Sequence, residues 1–416
     1  MSRVFILVFF IAALLAFDLY AFQGFKVLVK KWLPDHSLLL YVLYWTIPVV
    51  LGCIIAIKAI WYPSTSNNLF FTLVFSILIG LFIAKLIWVI FILSDDLIRG
   101  TRYAFNRALN SSSEQTISRS EFIITVGFFL ASTLFGSLLY GIFKGAHNYT
   151  IKRRKISIKN LPEELSGLKI VQISDVHSGS FWNKKKVERG VDMIKKLEPD
   201  LFFFTGDLVN NKADEFNDYK EMFSSISAKY GAYSVLGNHD YGDYVRWPDS
   251  NGITKSQNLD NLKKHHKDMG WKLLLNENEV LEIKGHKLAI LGVENWSDHK
   301  RFPKYGDLKK AMKGVEDVEH KLLLSHDPSH WRAQVLNQHP SISATFSGHT
   351  HGMQFGVDTK YYKWSPVKYQ YPEWVDMYTE KGQSLYVNRG FGYLGYPGRF
   401  GFLPEITVFG LQADIS

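Results

Sequence analysis

Four long apolar stretches within the first 143 residues constrain this chain more than any other feature. They cover about residues 4–23, 38–61, 69–93 and 122–143. Each is long enough to supply the roughly 20 residues that a helix needs to cross a bilayer. The first stretch follows a single arginine, as in a signal peptide, but it has no clear small-residue cleavage site and three more stretches follow it. We therefore predict a transmembrane region of four helices over residues 1–143.

The distribution of basic residues bears on the side of the membrane that the rest of the chain occupies. Four crossings place the N-terminus and the residues after 143 on the same side. Lys and Arg in the predicted flanking segments number seven on either side, but the densest cluster is Lys152–Lys155, in a predicted basic linker over residues 144–156. Because such clusters favour the cytoplasmic side, we predict a multi-pass protein of the cell (inner) membrane with its C-terminal domain in the cytoplasm.

Charge and cysteine content exclude some classes of function. The net charge of +9 is mild and partly flanks the membrane region, so we expect no nucleic-acid partner. The single cysteine, Cys53, excludes a disulfide framework and a thiolate metal site within one chain. Asp18 and Lys85 lie inside apolar stretches, and we predict that Lys85 reaches the membrane interface or pairs with Asp18.

Residues 157–412 show short apolar strands that alternate with amphipathic helices, which is typical of an α/β domain. Strands are predicted at Leu168–Ile173, Leu201–Phe204, Ala232–Leu236, Lys321–Leu324 and Ala344–Phe346. Three further segments are predicted to belong to a second sheet: Lys272–Leu275, Glu279–Ile283 and Lys287–Val293.

Polar residues of the metal-binding type follow five of these strands. They are Asp175 and His177, then Asp207, then Asn238, His239 and Asp240, then His326, and finally His349 and His351. Any one of them alone is more commonly a satisfied hydrogen-bonding residue. Together they occupy strand ends, where loops can reach a common point. Carboxylate, imidazole and amide donors without sulfur suit Mn, Fe, Zn, Ni or Mg.

These motifs resemble the signature of a known family. Asp-x-His, Gly-Asp, Gly-Asn-His-Asp, His and Gly-His-x-His occur in the order found in calcineurin-like metallophosphoesterases. The motifs look most like a bacterial membrane-associated branch, which includes enzymes similar to UDP-2,3-diacylglucosamine pyrophosphatases and broad phosphodiesterases. The resemblance implies an α/β fold in which a two-sheet sandwich is flanked by helices, here preceded by the four-helix transmembrane region.

The resemblance also implies a role for each residue of the motifs. A first divalent metal ion would be bound by Asp175, His177 and His351, a second by Asn238, His326 and His349, and both by Asp207. The metals implied are Mn, Fe, Zn or Mg. His239 would stay off the metals and assist the leaving group, with Asp240 orienting it. Two cations about 3.5–4 Å apart need a shared anionic ligand, and a hydroxide held between them is a nucleophile at neutral pH.

The sequence thus predicts a metal-dependent phosphodiesterase or pyrophosphatase, and its membrane anchor favours a lipid-linked phosphoester as the substrate. Two alternatives remain: a catalytically silent binding or scaffolding module, although all seven ligands are kept, and an accessory domain of a membrane transporter or sensor. Residues 360–376, rich in Tyr, Trp and Lys, are either a substrate or membrane-surface patch or an aromatic loop packed over a sheet. The sequence leaves the oligomeric state open.

Overall fold

The computed structural model describes residues 3–61, 69–108, 120–249 and 251–414. The chain divides into two compact units, Met1–Tyr140 and Gly141–Ser416.

Long helices make up the N-terminal unit. They are α1 (Arg3–Trp32), α2 (Ser37–Trp61), α3 (Leu69–Ala108) and α4 (Glu121–Phe143). All four are long and apolar enough to cross a membrane, as predicted. The first and third helices extend well beyond their apolar stretches. No proline interrupts the more polar residues that follow, so the backbone hydrogen-bond ladder continues.

The two charged residues predicted within the apolar stretches form an ion pair. Lys85 Nζ lies 2.6 Å from Asp18 Oδ1, and it also lies 4.4 Å from the centroid of the Tyr44 ring. The Tyr44 hydroxyl donates a hydrogen bond to the backbone carbonyl of Asp18. The predicted pairing is therefore confirmed, and each charge has a partner that lowers the cost of burying it in an apolar environment.

Two six-stranded sheets form the C-terminal unit. The strands are β1 (Thr150–Ile158), β2 (Lys169–Ile173), β3 (Leu201–Phe204), β4 (Ala232–Ser234), β5 (Trp271–Leu273), β6 (Glu277–Ile283), β7 (His286–Gly292), β8 (His320–Leu324), β9 (Ile342–Ser347), β10 (Val357–Asp358), β11 (Lys363–Trp364), β12 (Asp376–Glu380), β13 (Gln383–Val387) and β14 (Glu405–Ala413). The first sheet has the order β1-β14-β2-β3-β4-β5, and the second has the order β12-β13-β9-β8-β7-β6. β10 and β11 form a separate two-stranded ribbon.

Helices flank the two sheets. They are α5 (Lys184–Lys195), α6 (Lys220–Ser224), α7 (Lys255–Asp268), α8 (Leu308–Met312) and α9 (Leu336–Gln338), the last preceded by a π-helical turn at Trp331–Val335. This arrangement is the predicted α/β sandwich flanked by helices.

The apolar run in β3 shows how the layers are held together. Phe203 faces the second sheet, where its ring packs edge-on against Phe346 with the centroids 5.0 Å apart. Phe202 and Phe204 point the other way, into the cluster that includes Val191 of α5. A strand covered on both faces needs such a continuous apolar sequence. Each buried phenylalanine contributes about 1.5–3 kcal/mol through removal of apolar surface from water.

Two sequence predictions differ from the structure in this unit. Part of the predicted basic linker, 144–156, belongs to β1, which pairs in parallel with β14 at the edge of the first sheet. Lys152 and Arg154 make ion pairs with Asp358 and Asp376, so the cluster covers the sheet edge. The segment predicted at Lys272–Leu275 also changes sheets, because β5 pairs in parallel with β4 of the first sheet.

The topology brings the predicted motifs together. β2, β3 and β4 are parallel neighbours in the first sheet, and β8 and β9 are parallel neighbours in the second. Parallel neighbours end at the same edge, so the loops that follow them share one edge of the sandwich. The backbone N–H of His349, after β9, donates to both carboxylate oxygens of Asp175, after β2, at 3.0 Å. This contact ties the two sheets together at the site.

Candidate metal centre

Six of the seven predicted metal ligands form two compact clusters. Each cluster offers three ligand atoms that lie within 4.8 Å of one another. The first consists of Asp175, His177 and His351, and the second of Asp207, His326 and His349. The seventh predicted ligand, Asn238, lines the same cavity as Asp207, His349 and His351.

In the first cluster, three side chains meet at one point beside β2. His351 Nε2 lies 3.2 Å from Asp175 Oδ1 and 3.1 Å from His177 Nε2. Arg399 Nη2 donates to His351 Nδ1 over 3.1 Å. Because a guanidinium can only donate, Nδ1 accepts, and the neutral ring carries its proton on Nε2. A cation that binds at Nε2 must therefore displace that proton.

In the second cluster, the Asp207 carboxylate lies between rings from both clusters. Its Oδ2 atom lies 3.2 Å from His326 Nε2 and 3.5 Å from His177 Nε2. His349 Nδ1 lies 3.3 Å from His326 Nε2. One carboxylate oxygen therefore reaches both groups of ligand atoms, which is the geometry that a bridging ligand requires.

Outer hydrogen bonds determine which ring nitrogens face the second cluster. His326 Nδ1 lies 2.7 Å from the Thr205 carbonyl, which leaves Nε2 toward Asp207. His349 Nε2 lies 2.8 Å from the Tyr371 hydroxyl and 3.3 Å from Asp327 Oδ2, which leaves Nδ1 toward the cluster. Ligand histidines in metal sites are commonly held this way, through the nitrogen that does not bind the metal.

Asn238 has one side-chain atom available for a ligand. Its Nδ2 donates to the Tyr244 hydroxyl over 2.9 Å. Its Oδ1 is buried and has no hydrogen-bond partner within the described part of the chain. A buried polar atom normally has a partner, so an unpaired amide oxygen in this cavity fits a metal ligand.

The pKa values of the acidic ligands favour the ionised form. Burial raises the pKa of Asp207, but His326 and His239 outweigh burial and hold it well below its ordinary value. Burial acts in the same direction on Asp175, where His351 outweighs it and lowers the pKa. Both carboxyl groups are therefore anionic at neutral pH, as metal ligands must be.

The histidines of the two clusters differ in their protonation. Burial lowers the pKa of His177 well below its ordinary value, although Asp207 opposes the shift. Burial likewise lowers the pKa of His349 to about 4. Burial also acts to lower the pKa of His326, but Asp207 outweighs it and raises the pKa to about 10. His326 and Asp207 thus stabilise each other's charged forms, and a cation held by both would have to replace the His326 proton.

Two glycines leave room for the carboxylates of Asp207 and Asp175. A Cβ atom on Gly237 would lie 2.2 Å from Asp207 Oδ1, and one on Gly348 would lie 2.2 Å from Asp175 Oδ2. A residue with a side chain would therefore clash with the carboxylate at either position unless the carboxylate moved. The backbone of the two motifs thus packs directly against the ligands of the neighbouring strand end.

His239 and Asp240 make different contacts from those predicted. His239 lines the cavity, and its Nδ1 lies 2.7 Å from the Asn210 carbonyl. The Asp240 carboxylate instead accepts hydrogen bonds from four backbone N–H groups, those of Asp207, Leu208, Val209 and Gly237. The prediction that Asp240 orients His239 is therefore wrong for the side chain. Asp240 fixes the loops that carry Asp207 and Asn238, and Asn210 orients the His239 ring.

Several residues that contact the ligands carry no assignment in the sequence prediction. Asp327 follows a predicted ligand directly, so its position was a usable signal. Burial raises its pKa, but His349 and hydrogen bonds from Ser297 and Ser329 lower it overall, so it is ionised. Tyr371 gives no such signal, because it reaches the site from a loop without a motif. Asn210, which contacts His239, follows Asp207 by three residues but acts through its backbone carbonyl, which any residue could supply.

A cavity of about 460 Å³ lies in front of the two clusters. Besides the site residues, its wall includes aromatic, apolar, amide and basic side chains from five loops: Tyr244, Arg301, Phe302, Met353, Val367, Gln370, Tyr371 and Leu394. The aromatic segment 360–376 contributes to this wall through a buried part, while its Tyr361, Tyr362 and Tyr369 are exposed. The segment thus has exposed residues that could form a substrate or membrane-surface patch, and buried residues that pack within the domain. Both predicted interpretations stay open.

Comparison with known proteins agrees with this geometry. Residues 168–353 match the family profile described as calcineurin-like phosphoesterase. These residues therefore form a calcineurin-like phosphoesterase domain. Residues 2–146 match a second profile, described as the transmembrane domain of a probable calcineurin-like phosphoesterase. The calcineurin-like phosphoesterase domain therefore follows a transmembrane domain with its own family relationship.

Individual relatives are also described as metallophosphoesterases. A transmembrane protein with metallophosphoesterase domain from Danio rerio is 28% identical over 302 residues, which cover 71% of this chain and 64% of the relative. The match thus spans a little under two thirds of that relative. An uncharacterized metallophosphoesterase of Bacillus subtilis, YkuE, is 27% identical over 282 residues, which cover 66% of this chain and 90% of the relative.

Solved structures are more distant. A 5′-nucleotidase precursor from Thermus thermophilus has 16% sequence identity and a TM-score of 0.35, with 59% of this chain and 54% of that chain covered. A TM-score this low supports no conclusion about substrate.

Proposed function

We propose that this protein is a membrane-anchored hydrolase that uses two divalent metal ions to cleave a phosphodiester or pyrophosphate bond. The observation that carries the proposal is the position of Asp207 Oδ2, which lies 3.5 Å from His177 and 3.2 Å from His326. These rings belong to different clusters. A carboxylate in that position is suited to bridge two cations, and dinuclear sites of this kind serve phosphoryl transfer.

The remaining ligands divide between the two ions. Asp175, His177 and His351 would hold the first, whereas Asn238, His326 and His349 would hold the second. When bound, the cations would lower the pKa of water and neutralise phosphoryl oxygens. The oxygen and nitrogen donors suit Mn, Fe, Zn or Mg, and manganese is the first choice for assays.

His239 is the proposed proton donor to the leaving group. Its Nδ1 lies 2.7 Å from the Asn210 carbonyl, so the proton on that nitrogen is engaged. Nε2 is then the atom that exchanges a proton with the substrate. A protonated ring can donate from Nε2 to the leaving oxygen or stabilise charge on the phosphoryl group.

The surroundings of the site support a lipid-linked substrate on the cytoplasmic side of the cell (inner) membrane. Four candidate spans precede the domain, and apolar side chains line part of the cavity. Arg153 and Lys155 are exposed just after the last span, and clusters of basic residues favour the cytoplasmic side. Anchoring would keep the enzyme at the surface from which such a substrate comes.

The decisive variant is Asp207→Asn in the full-length, detergent-solubilised protein. Hydrolysis of bis-p-nitrophenyl phosphate with Mn²⁺ should fall by at least about a hundredfold, because the amide cannot bridge two cations as a carboxylate does. Bound metal, measured by mass spectrometry after gel filtration, should fall below two ions per chain. Asp268→Asn, at an exposed ion pair with Lys220, is the matched control and should keep both properties.

A second variant separates metal binding from proton transfer. His239→Ala should keep two metal ions and lose most activity, because its ring contributes no ligand atom to either cluster. Unchanged hydrolysis in the Asp207 variant would refute the proposed chemistry. Wild-type protein that binds two ions but hydrolyses none of a panel of nucleotide-lipid, phospholipid and nucleotide substrates would favour a binding or scaffolding module.

A further inference from the structure

The loop between β7 and α8 places one positively charged side chain, that of Arg301, at the wall of the cavity. Arg301 is the only Lys or Arg among the described residues that line the cavity. Its guanidinium carbon lies 4.5 Å from the centroid of the Phe302 ring. The Phe302 ring in turn packs edge-on against His349, with the centroids 4.8 Å apart. Arg301 is thus separated from a proposed metal ligand by a single aromatic ring.

Arg301 has no carboxylate within ion-pair distance among the described residues, although its neighbours do. Lys304, on the same loop, lies 3.6 Å from Asp298 and packs over the Trp296 ring. Lys212, on another loop near the site, pairs with Asp249 at 2.8 Å. An arginine that stacks on an aromatic ring and lacks a carboxylate partner can direct its planar fork of donors at a carboxylate or phosphate.

The aromatic side chains around Arg301 are themselves held in place. The Tyr371 hydroxyl lies 2.8 Å from His349 Nε2, and the Tyr244 hydroxyl accepts from Asn238 Nδ2 at 2.9 Å. Both rings line the cavity together with Arg301. The wall that presents the guanidinium is therefore attached to two of the proposed metal ligands.

We propose that Arg301 forms a second anion subsite, which binds a negatively charged group of the substrate next to the phosphoryl group that is cleaved. This subsite rests on the proposed phosphoesterase function. It predicts a preference for substrates whose leaving portion carries its own charge, either a second phosphoryl group or a carboxylate. An uncharged leaving group would form no ion pair with the guanidinium, so Arg301 would not strengthen its binding. Arg301 acts as a positioning and specificity residue, and the hydrolytic step belongs to the metal centre.

Three substrates distinguish the possible anions in the full-length protein with Mn²⁺. Bis-p-nitrophenyl phosphate has an uncharged leaving group, uridine 5′-diphosphoglucose adds a second phosphoryl group, and 4-carboxyphenyl p-nitrophenyl phosphate adds a carboxylate. Arg301→Ala should lower kcat/KM about 10- to 100-fold on at least one charged substrate, the range expected for a lost hydrogen-bonded ion pair. The change on bis-p-nitrophenyl phosphate should stay within about threefold. The substrate that is affected identifies the anion.

Controls and a binding measurement complete the test. Arg301→Lys should recover part of the loss, mainly through KM, because it restores charge but not the planar fork. Lys304→Ala, on the same loop, should leave all three substrates unchanged. Methylenediphosphonate, which is not hydrolysed, should bind the protein without added metal about tenfold more weakly after Arg301→Ala in calorimetric titration.

The outcomes separate this inference from the proposed function. Equal losses on all three substrates, or no loss on any, would overturn the subsite and leave the hydrolase intact. If the wild-type protein hydrolysed bis-p-nitrophenyl phosphate but neither charged substrate, the subsite would also be overturned and the hydrolase left intact. If the wild-type protein cleaves none of the three, the proposed hydrolysis fails, and the calorimetric comparison still decides whether Arg301 binds an anion.

Discussion

Asp240→Asn offers the sharpest test of how the site is held together. Asp240 Oδ2 accepts from the backbone N–H groups of Asp207 and Gly237, both at 2.9 Å, and Oδ1 accepts from Leu208 and Val209 at 2.8 and 3.3 Å. An asparagine has a single acceptor oxygen. In either orientation of the amide, two backbone donors face an NH₂ group and lose their partner.

The expected cost follows from these contacts. Each buried N–H group left without an acceptor costs about 1–3 kcal/mol, so the substitution should destabilise the domain by about 2–6 kcal/mol. That is a large share of the stability of a typical domain. Urea unfolding of the full-length protein in detergent, followed by tryptophan fluorescence, measures the change. Asp243→Asn, an exposed acid three residues further on that pairs with Lys255, should change stability by less than about 0.5 kcal/mol.

A double-mutant cycle with His239→Ala tests the contact that the sequence predicted instead. If Asp240 acted by orienting His239, its substitution would have no further effect once the ring is removed. The structure predicts independent effects, additive within about 0.5 kcal/mol, because the two side chains have no direct contact and different hydrogen-bond partners. Wild-type stability of Asp240→Asn, or a loss confined to activity that disappears in the His239→Ala background, would refute this reasoning.

Three further substitutions test other parts of the structure. Tyr371→Phe removes the hydroxyl that lies 2.8 Å from His349 Nε2, and it should weaken metal binding about 10- to 100-fold in a chelator competition. Gly348→Ala places a Cβ 2.2 Å from the aspartate of the first cluster and should reduce bound metal, whereas Gly410→Ala, in open space, should not. Burial raises the pKa of Glu215 to about 7, so its contribution to folding is present below about pH 4.5 and is lost as the pH rises through 7. Glu215→Gln should remove about 3 kcal/mol of this pH dependence from urea unfolding measured between pH 4.5 and 8, and an unchanged pH profile would contradict the assignment.

The grouping of the candidate ligand residues could be predicted from the sequence because each lies directly after an apolar strand and within a short motif. Asp175, Asp207 and His349 are of this type, and parallel strands then bring them to one edge without further information. Tyr371 could not be predicted in the same way. It lies 22 residues after His349, and no local pattern in its aromatic segment shows which tyrosine turns toward the metal centre.

The two fold predictions that differ from the structure have physical causes as well. β1 carries four consecutive charged residues, Lys152–Lys155, because it is an edge strand whose side chains reach water or pair with Asp358 and Asp376. Charged edges resist unwanted pairing with other strands, yet in sequence they look like a linker. β5 is only three residues long, and its apolar character fits either sheet. β5 pairs with β4 because α7 connects the two strands and because Trp271 packs against Phe204.

The backbone of the motifs explains why the site is formed when the domain folds. Left-handed φ angles, between 46° and 73°, occur at five of the proposed ligand residues: Asp175, His177, Asp207, His349 and His351. Such conformations cost residues with side chains about 1–3 kcal/mol, and they persist only where the surroundings hold them. At Asp207 the surroundings are the Asp240 carboxylate and the close approach of Gly237. The sheet core and these hydrogen bonds therefore offset the strain at this residue. It follows that substitutions of Asp240 should weaken metal binding even though Asp240 is not itself a ligand.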